Sequence, residues 1–371
     1  MISKKKILLS VPSESASGGI KNYFQVLKKE FSLPVEYMIR GARNWPYRKS
    51  FTQEIRRAYN DLKLFRDRIN VGDINLVQTS TSLGLFSVIR DGLFVYFAKR
   101  KGVSAIVFFR GWDLKFEKKI EIYFLFLFKF FFFRADRLIV LSTSFRDKLI
   151  QWGYSKEIHI ESTIIDENLL SGISADDIKE NRKKGRKDEV YNILFLARVE
   201  VPKGIYETIE TFRILQKNHS GISLTIAGSG KELDKVKSYL KTHNFSNVNV
   251  IGYVEGEEKR NIFMNSDIYL FPSYTEGMPN SVLEAMAFGL PIITRSVGAI
   301  PDIIKNNING FHTDSKDPKI FADFIQKVMN DDYLANNILE HNYKQARSNY
   351  TTTEVVNRIE KIYKDTLKCN N

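Results

Sequence analysis

The sequence predicts an α/β fold of two Rossmann-like domains, each a parallel sheet covered by helices. Three observations predict it. Short apolar runs alternate with amphipathic helical stretches along most of the chain, as strand–helix–strand crossovers require. A length of 371 residues with 43% hydrophobic side chains suits two cores better than one. Residues 271–301, FPSYTEGMPNSVLEAMAFGLPIITRSVGAIP, read as a strand end, a loop, a helix and a further strand. Two carboxylates lie just past that strand end, on the side where open α/β sheets hold their ligands.

In the first half, strands are expected at 6–10 (KILLS), 74–80 (INLVQTS), 103–109 (VSAIVFF), 137–142 (RLIVLS) and 158–163 (IHIEST). Such short, apolar runs suit strands covered on both faces. The opening MISKKKILLSVPS has basic residues before an apolar run, but that run is too short for a signal peptide and reads as the first strand. Gly18-Gly19 then leads a helix with apolar Ile20, Tyr23, Phe24, Leu27 and Phe31. A helix over 51–70 gathers Ile55, Tyr59, Leu62, Phe65 and Ile69 on one face, with Arg56, Arg57, Lys63, Arg66 and Arg68 around the remainder. Core packing with the basic face turned to phosphates is preferred to a position on a membrane surface.

The run IEIYFLFLFKFFFFR (120–134) is interrupted by Lys129, and it falls well short of the ~20 residues of a membrane span. It reads as a helix apolar on every face, so it is either a buried crossover or a contact with lipid. On the second reading Phe124, Phe128 and Phe131 are the docking residues. The polar stretch 167–189 suits a linker with helical content. It divides the chain into 1–167, 168–352 and a last helix within 353–371. Beyond it come the strands in ILFLA, LTIAGSG, VNVIGYV (248–254) and IIT.

The formal charge of +13 is unevenly placed. Residues 1–167 carry 29 Lys/Arg against 17 Asp/Glu, whereas residues 168–371 carry 27 against 26. A basic first half suits an anionic partner such as a membrane surface. Nucleic acid is the rival, but zinc-finger spacing, an RNA-recognition motif and a recognition helix are all missing, so no nucleic acid is expected. A single cysteine, Cys369, excludes a disulfide framework within the chain and suits the cytosol.

The candidate chemistry centres on Glu276 and Glu284, with seven residues between them, Gly277-Met278-Pro279-Asn280-Ser281-Val282-Leu283. Glu276 sits in a loop, free to accept from hydroxyls. Pro279 fits the first helical turn, where its missing N–H costs nothing. The helix start offers N–H donors and partial positive charge to a phosphate. Glu284, one to two turns further in, reaches a second set of hydroxyls. A ligand with a sugar, a diphosphate and a ribose in series would match. ILFLARVEVPKG adds Arg198 at a strand end and Lys203 before a helix, two cations for a departing diphosphate. Gly228 begins a glycine turn after another strand. A lone Glu or a lone cation would be a solvated side chain; the joint spacing argues for a site.

This segment resembles the nucleotide-sugar site of glycosyltransferase family 4, the retaining enzymes of the GT-B fold, over most of residues 190–310. The resemblance implies two Rossmann-like domains facing a cleft, with the last helix crossing back to the first domain. It implies that Glu276 and the backbone of Gly277, Met278 and Pro279, with Asn280 and Ser281 beside them, hold the transferred sugar. Glu284 would hold the ribose, Arg198 and Lys203 the diphosphate, and Tyr253 and Val254 would lie against the base. The implied reaction moves a sugar from a nucleotide-sugar, UDP preferred to GDP, to a hydroxyl of a glycan or lipid-linked acceptor in bacterial surface polysaccharide synthesis. The expected setting is cytoplasmic, peripheral on the inner face of the cytoplasmic membrane. No D-x-D motif is present, so neither a metal nor a cofactor is expected.

In the first domain the resemblance points to Gly18 and Gly19 as a loop near the phosphates and the acceptor. One departure stands out. Many members carry a histidine after the strand at 103–109, where this chain reads Arg110-Gly111-Trp112-Asp113. Arg110 and Asp113 either serve that region or form a structural ion pair. A sugar-nucleotide epimerase and a non-catalytic nucleotide-sugar-binding protein are the alternative functions.

Overall fold

The computed structural model describes residues 6–12, 23, 24, 26–28, 30–41, 51–185 and 190–369. The chain forms two compact units, Met1–Thr163 together with Thr352–Asn371, and Ile164–Thr351.

The first unit is built on a six-stranded sheet in the order β2-β1-β3-β4-β5-β6. Its strands are β1 (Lys6–Val11), β2 (Val35–Ile39), β3 (Ile74–Ser82), β4 (Ser104–Gly111), β5 (Arg137–Val140) and β6 (Ile158–Ile160). All neighbours run parallel. The expected apolar runs supply the strands because crossover helices cover both faces, leaving Ile7, Leu8, Ile106, Val107, Phe108 and Leu138 without solvent contact. The sequence reading missed β2. It is an edge strand whose residues are mostly half-buried, so VEYMI carries no continuous apolar run.

The helix Phe51–Asn70 packs through Phe65 and Ile69, but Ile55 and Tyr59 of the expected core face are exposed. Its basic side is partly spent on structure, since Arg68 reaches Glu36 at 2.5 Å and Asp73 at 2.6 Å. Residues 114–132 are helical throughout, with a π-helical turn at Ile120–Phe124 between α-helices Leu114–Lys119 and Leu125–Phe132. The segment is neither wholly buried nor uniformly exposed. Ile120 is buried, and Phe128 and Phe132 enter an aromatic core with Phe109 and Trp152. Phe128 is therefore withdrawn from the candidate docking residues: it and Phe132 are four residues apart, on the stripe that faces the sheet. Phe131 is half-buried against Gly92. The outward residues are Ile122, Tyr123, Phe124, Phe126, Leu127 and Phe130. No helix among the described residues is long and apolar enough to cross a membrane.

The last helix, Thr352–Cys369, belongs to the first unit. Glu360 accepts from the Ser32 and Leu33 backbone N–H groups at 2.5 and 3.0 Å and from the Ser32 hydroxyl at 2.6 Å. Tyr363 donates to Gln78 at 2.9 Å, and Arg358 pairs with Glu161 at 3.0 Å.

The second unit repeats the architecture with the order β12-β11-β10-β7-β8-β9, again all parallel. The strands are β7 (Tyr191–Leu196), β8 (Ile222–Ala227), β9 (Val248–Gly252), β10 (Ile268–Phe271), β11 (Ile292–Arg295) and β12 (Gly310–Thr313). β12, four residues at the edge, was also missed. Within the polar 167–189 stretch, the helix Ala175–Gly185 is anchored to this unit. Arg182 donates to the carbonyls of Ser266, Phe288 and Gly289 at 3.1, 2.7 and 3.2 Å.

Candidate functional site

In the second unit the chain runs outward from β7 in one direction through β8 and β9 and in the other through β10 to β12. The order therefore reverses between β7 and β10, and ligands of open sheets sit at such a switch point, beyond the strands' carboxyl ends. The loops that leave these two ends carry Arg198, Lys203 and Glu276.

Lys203 closes the short 3₁₀ turn Val201–Lys203, before the helix Ile205–Gln216. Its Nζ lies 2.5 Å from Glu276 Oε1, and the two side chains are only 15% and 9% exposed. The Ser273 hydroxyl donates to the same carboxylate oxygen at 2.6 Å. The loop after β10 is tied to the loop after β7 by the Tyr274 N–H, which donates to the Pro202 carbonyl at 2.9 Å. Two residues 73 positions apart are thus joined by backbone contacts as well as by charge. Gly298 seals the turn from the other side. It has φ +58°, and a Cβ there would meet the Glu276 and Gly277 carbonyl oxygens at 2.2 and 2.4 Å. The neighbouring Ala299 N–H donates to Gly277 O at 2.7 Å.

The helix Asn280–Ala287 begins without a side-chain cap. Pro279 stands at its N-cap with extended backbone (φ −77°, ψ 123°), one position before the first turn where the sequence reading put it. The consequence is the same, because a missing N–H there leaves no helical bond unmade. Asn280 and Ser281 open the helix, and their backbone N–H groups precede its internal ladder. Beneath them the buried Tyr269 hydroxyl lies 2.7 Å from Ser281 Oγ and 2.9 Å from the Leu196 carbonyl, tying the helix start to β7. Burial pushes this phenol well above its ordinary range, so it stays neutral.

Glu284 is buried and paired with Lys259 at 2.6 Å. Arg198 is not drawn into the Lys203–Glu276 pair; it is 63% exposed and meets Glu200 at 3.0 Å. Met278 and Val254 are buried, while Tyr253 is exposed with its hydroxyl donating to Glu255 at 3.1 Å. Gly228 (φ +138°) lets the end of β8 close on β7, since a Cβ there would lie 1.8 Å from Ala197 O.

Sequence reasoning missed Lys259, Ser273 and Tyr269. Lys259 stands in GEEKR, which reads as a surface charge run, and its partner is 25 residues away. Arg295 and Lys316, also unforeseen, lie 5.1 and 4.7 Å from the Tyr274 ring. Burial and a hydrogen bond to Glu207 push the Tyr274 phenol up to about 12. Among the described residues, no group of three or more His, Cys, Asp or Glu is gathered closely enough to hold a metal ion.

In the first unit, Gly18 and Gly19 lie outside the described residues. Asp113 caps the helix Leu114–Lys119, accepting from the N–H groups of Lys115 and Phe116 at 2.8 and 3.0 Å. Arg110 is buried on β4, over the rings of Tyr23 and Phe108.

Comparison with known proteins shows what this half of the chain is similar to. Residues 176–345 match the family model of glycosyl transferases group 1. The matched segment contains Arg198, Lys203, Glu276 and Glu284. Over 268 residues the chain is 27% identical to the capsular polysaccharide biosynthesis glycosyltransferase CapM of Staphylococcus aureus, covering 70% of each protein. Over 143 residues it is 30% identical to the amylovoran biosynthesis glycosyltransferase AmsK of Erwinia amylovora, covering 37% of this chain and 35% of AmsK. Among solved structures, HepE of Anabaena in complex with UDP and glucose aligns with a TM-score of 0.71 at 16% identity, over 97% of this chain and 99% of HepE. Sucrose-phosphate synthase of Thermosynechococcus elongatus aligns with a TM-score of 0.74 at 15% identity, over 98% and 100%. The fold of the whole chain is that of the GT-B glycosyltransferases.

Proposed function

We propose that this chain is a retaining glycosyltransferase that moves a sugar from a UDP-sugar to a hydroxyl of a glycan or lipid-linked acceptor in surface polysaccharide synthesis. The observation that carries the reading is the Lys203–Glu276 pair at the β7/β10 switch point, beside a helix start that no side chain caps. A diphosphate there meets the Lys203 ammonium and the free N–H groups of Asn280 and Ser281. Lys203 then leaves Glu276 open to accept from sugar hydroxyls, with Gly277, Met278 and Pro279 alongside. Glu284, held by Lys259, accepts from the ribose, and Arg198 swings in from solvent to the phosphates. The anomeric carbon–oxygen bond breaks with its electron pair passing to the diphosphate. That phosphate takes the acceptor hydroxyl's proton, and the new bond forms on the same face. UDP in the HepE structures supports uridine.

Incubating the protein with UDP-, GDP- and ADP-sugars and measuring nucleotide release tests this. Release from a UDP-sugar, lost in Lys203→Met and Glu276→Ala, is expected. Full turnover by Glu276→Ala would sink the assigned role. Binding without release, even with a lipid-linked acceptor, would favour a non-catalytic binding protein.

The acceptor is proposed to be reached at an anionic membrane surface. Phe126, Tyr123 and Ile122 are 83%, 72% and 69% exposed, and Lys118, Lys119 and Arg134 stand exposed beside them. Apolar side chains ringed by cations suit the boundary of an acidic bilayer. Sedimentation with phosphatidylglycerol vesicles should show binding that weakens in Tyr123→Ser/Phe126→Ser and with added salt. Unchanged binding in that variant would contradict the assignment.

A further inference from the structure

The first unit holds a buried cation that no described residue neutralises. β3 and β4 pair as Thr81 with Phe109 and then Ser82 with Gly111, so Arg110 is the extra residue of a β-bulge. Bulges re-aim a side chain and recur beside functional sites. This one lies at the carboxyl end of the sheet, one strand from the β1/β3 position where the strand order reverses. The Arg110 residue is 6% exposed. Its guanidinium lies 3.4 Å from the centre of the Tyr23 ring and 4.8 Å from that of Phe108. Among the described residues neither Nε nor Nη1 has a hydrogen-bond partner, and Arg110 forms no ion pair. Asp113 is occupied as a helix cap, and Glu161 is occupied by Arg358.

The groups around Arg110 lack acceptors too. Among the described residues the buried Tyr23 hydroxyl and Ser80 Oγ make no hydrogen bond of good geometry, although the Tyr23 phenol is close enough to Arg110 to interact with it. Ser80 is in register with Phe108, which puts it on the face of the sheet where Tyr23 and Arg110 lie. Burial pushes the Tyr23 phenol up, so it remains a donor. A guanidinium can only donate, and an unpaired buried charge destabilises a fold. A neutral sugar hydroxyl would supply a lone pair but no countercharge. A carboxylate or phosphate supplies several acceptor lone pairs and the opposite charge, in the two-pronged geometry a guanidinium fits.

We propose that Arg110, with Tyr23 and Ser80, forms an oxyanion subsite that takes a carboxylate or phosphate group of the acceptor. The word acceptor rests on the glycosyltransferase reading; the anion subsite itself does not, and it lies in the other unit from Lys203 and Glu276.

The test uses the full chain at constant ionic strength, with three probes: inorganic phosphate, methyl glucuronide and, as the neutral control, methyl glucoside. Binding is read by calorimetry and by the shift in thermal midpoint. At least one anion should bind and stabilise the wild type, and the glucoside should not. Affinity should fall by about tenfold or more in Arg110→Met and by a few-fold in Arg110→Lys and Tyr23→Phe. Without ligand, Arg110→Met should melt no lower than the wild type, because an apolar side chain replaces an unpaired charge. A response to phosphate alone names a phosphate-bearing acceptor, and a response to the glucuronide alone names an acidic sugar. Three outcomes overturn the proposal: no anion binding, anion binding that Arg110→Met leaves intact, or an Arg110→Met protein that melts well below the wild type. UDP titrations of the same proteins and of Lys203→Met run in parallel. Lost UDP binding in Lys203→Met with intact Arg110-dependent anion binding, or the reverse, separates failure of one reading from failure of the other.

Discussion

Replacing Lys203 by Met asks whether the contact at the β7/β10 switch point is a held ion pair. Lys203 Nζ and Glu276 Oε1 are 2.5 Å apart, on side chains 15% and 9% exposed. At an effective dielectric of about 20, unit charges at this separation attract by about 6–7 kcal/mol. Taking both ions largely out of water costs several kcal/mol each, so the net coupling should be about 1–3 kcal/mol. Lys203→Met alone leaves Glu276 with the Ser273 hydroxyl as its remaining described donor, at 2.6 Å. That variant should lose about 2–4 kcal/mol, since it strands a nearly buried carboxylate. Glu276→Gln keeps the shape and should lose about 1 kcal/mol. The double variant should then lose less than the sum of the two by the coupling energy. Urea unfolding of the four proteins at pH 7, followed by circular dichroism, measures this cycle. A coupling below about 0.5 kcal/mol would refute the reasoning, because independent sites add to within that margin.

Other expectations follow from single contacts. Gly298→Ala forces a Cβ against two carbonyl oxygens at 2.2 and 2.4 Å in a left-handed backbone; it should cost about 2–3 kcal/mol and weaken UDP binding, measured by urea midpoint and calorimetry. Arg182→Met strands the carbonyls of Ser266, Phe288 and Gly289, and a loss of about 2–4 kcal/mol in urea unfolding is expected. Burial pushes the Glu360 carboxyl up, but the hydrogen bonds from Ser32 and Leu33 outweigh it and hold it below the ordinary 4.5. A carboxyl depressed in the fold contributes stability that is present above 4.5 and is lost as pH falls through its folded value. Between pH 5 and pH 3 the urea midpoint should therefore drop more steeply in the wild type than in Glu360→Gln, and parallel curves would remove Glu360 from the account.

The strands of both sheets were legible wherever helices cover both faces, because such strands carry a continuous apolar run; ILL in β1 and AIVFF in β4 are examples. The edges β2 and β12 were not, since one side of an edge strand faces solvent and its composition can be mixed. The spacing of Glu276 and Glu284 was equally local: seven residues, a turn and a helix start are properties of contiguous chain. What holds those carboxylates was not. Lys203 and Lys259 meet them across 73 and 25 residues, and only the order in which strands pair brings those loops together. The same is true of the apolar helix at 120–134, where the sheet selected Phe128 and Phe132 for burial and left Phe126 outside. Arg110 shows the limit most directly. Its sequence context marked a departure from the family pattern, but only the packed unit shows a buried guanidinium whose Nε and Nη1 lack partners among the described residues, because spatial neighbours far apart in the chain leave no trace in adjacent letters.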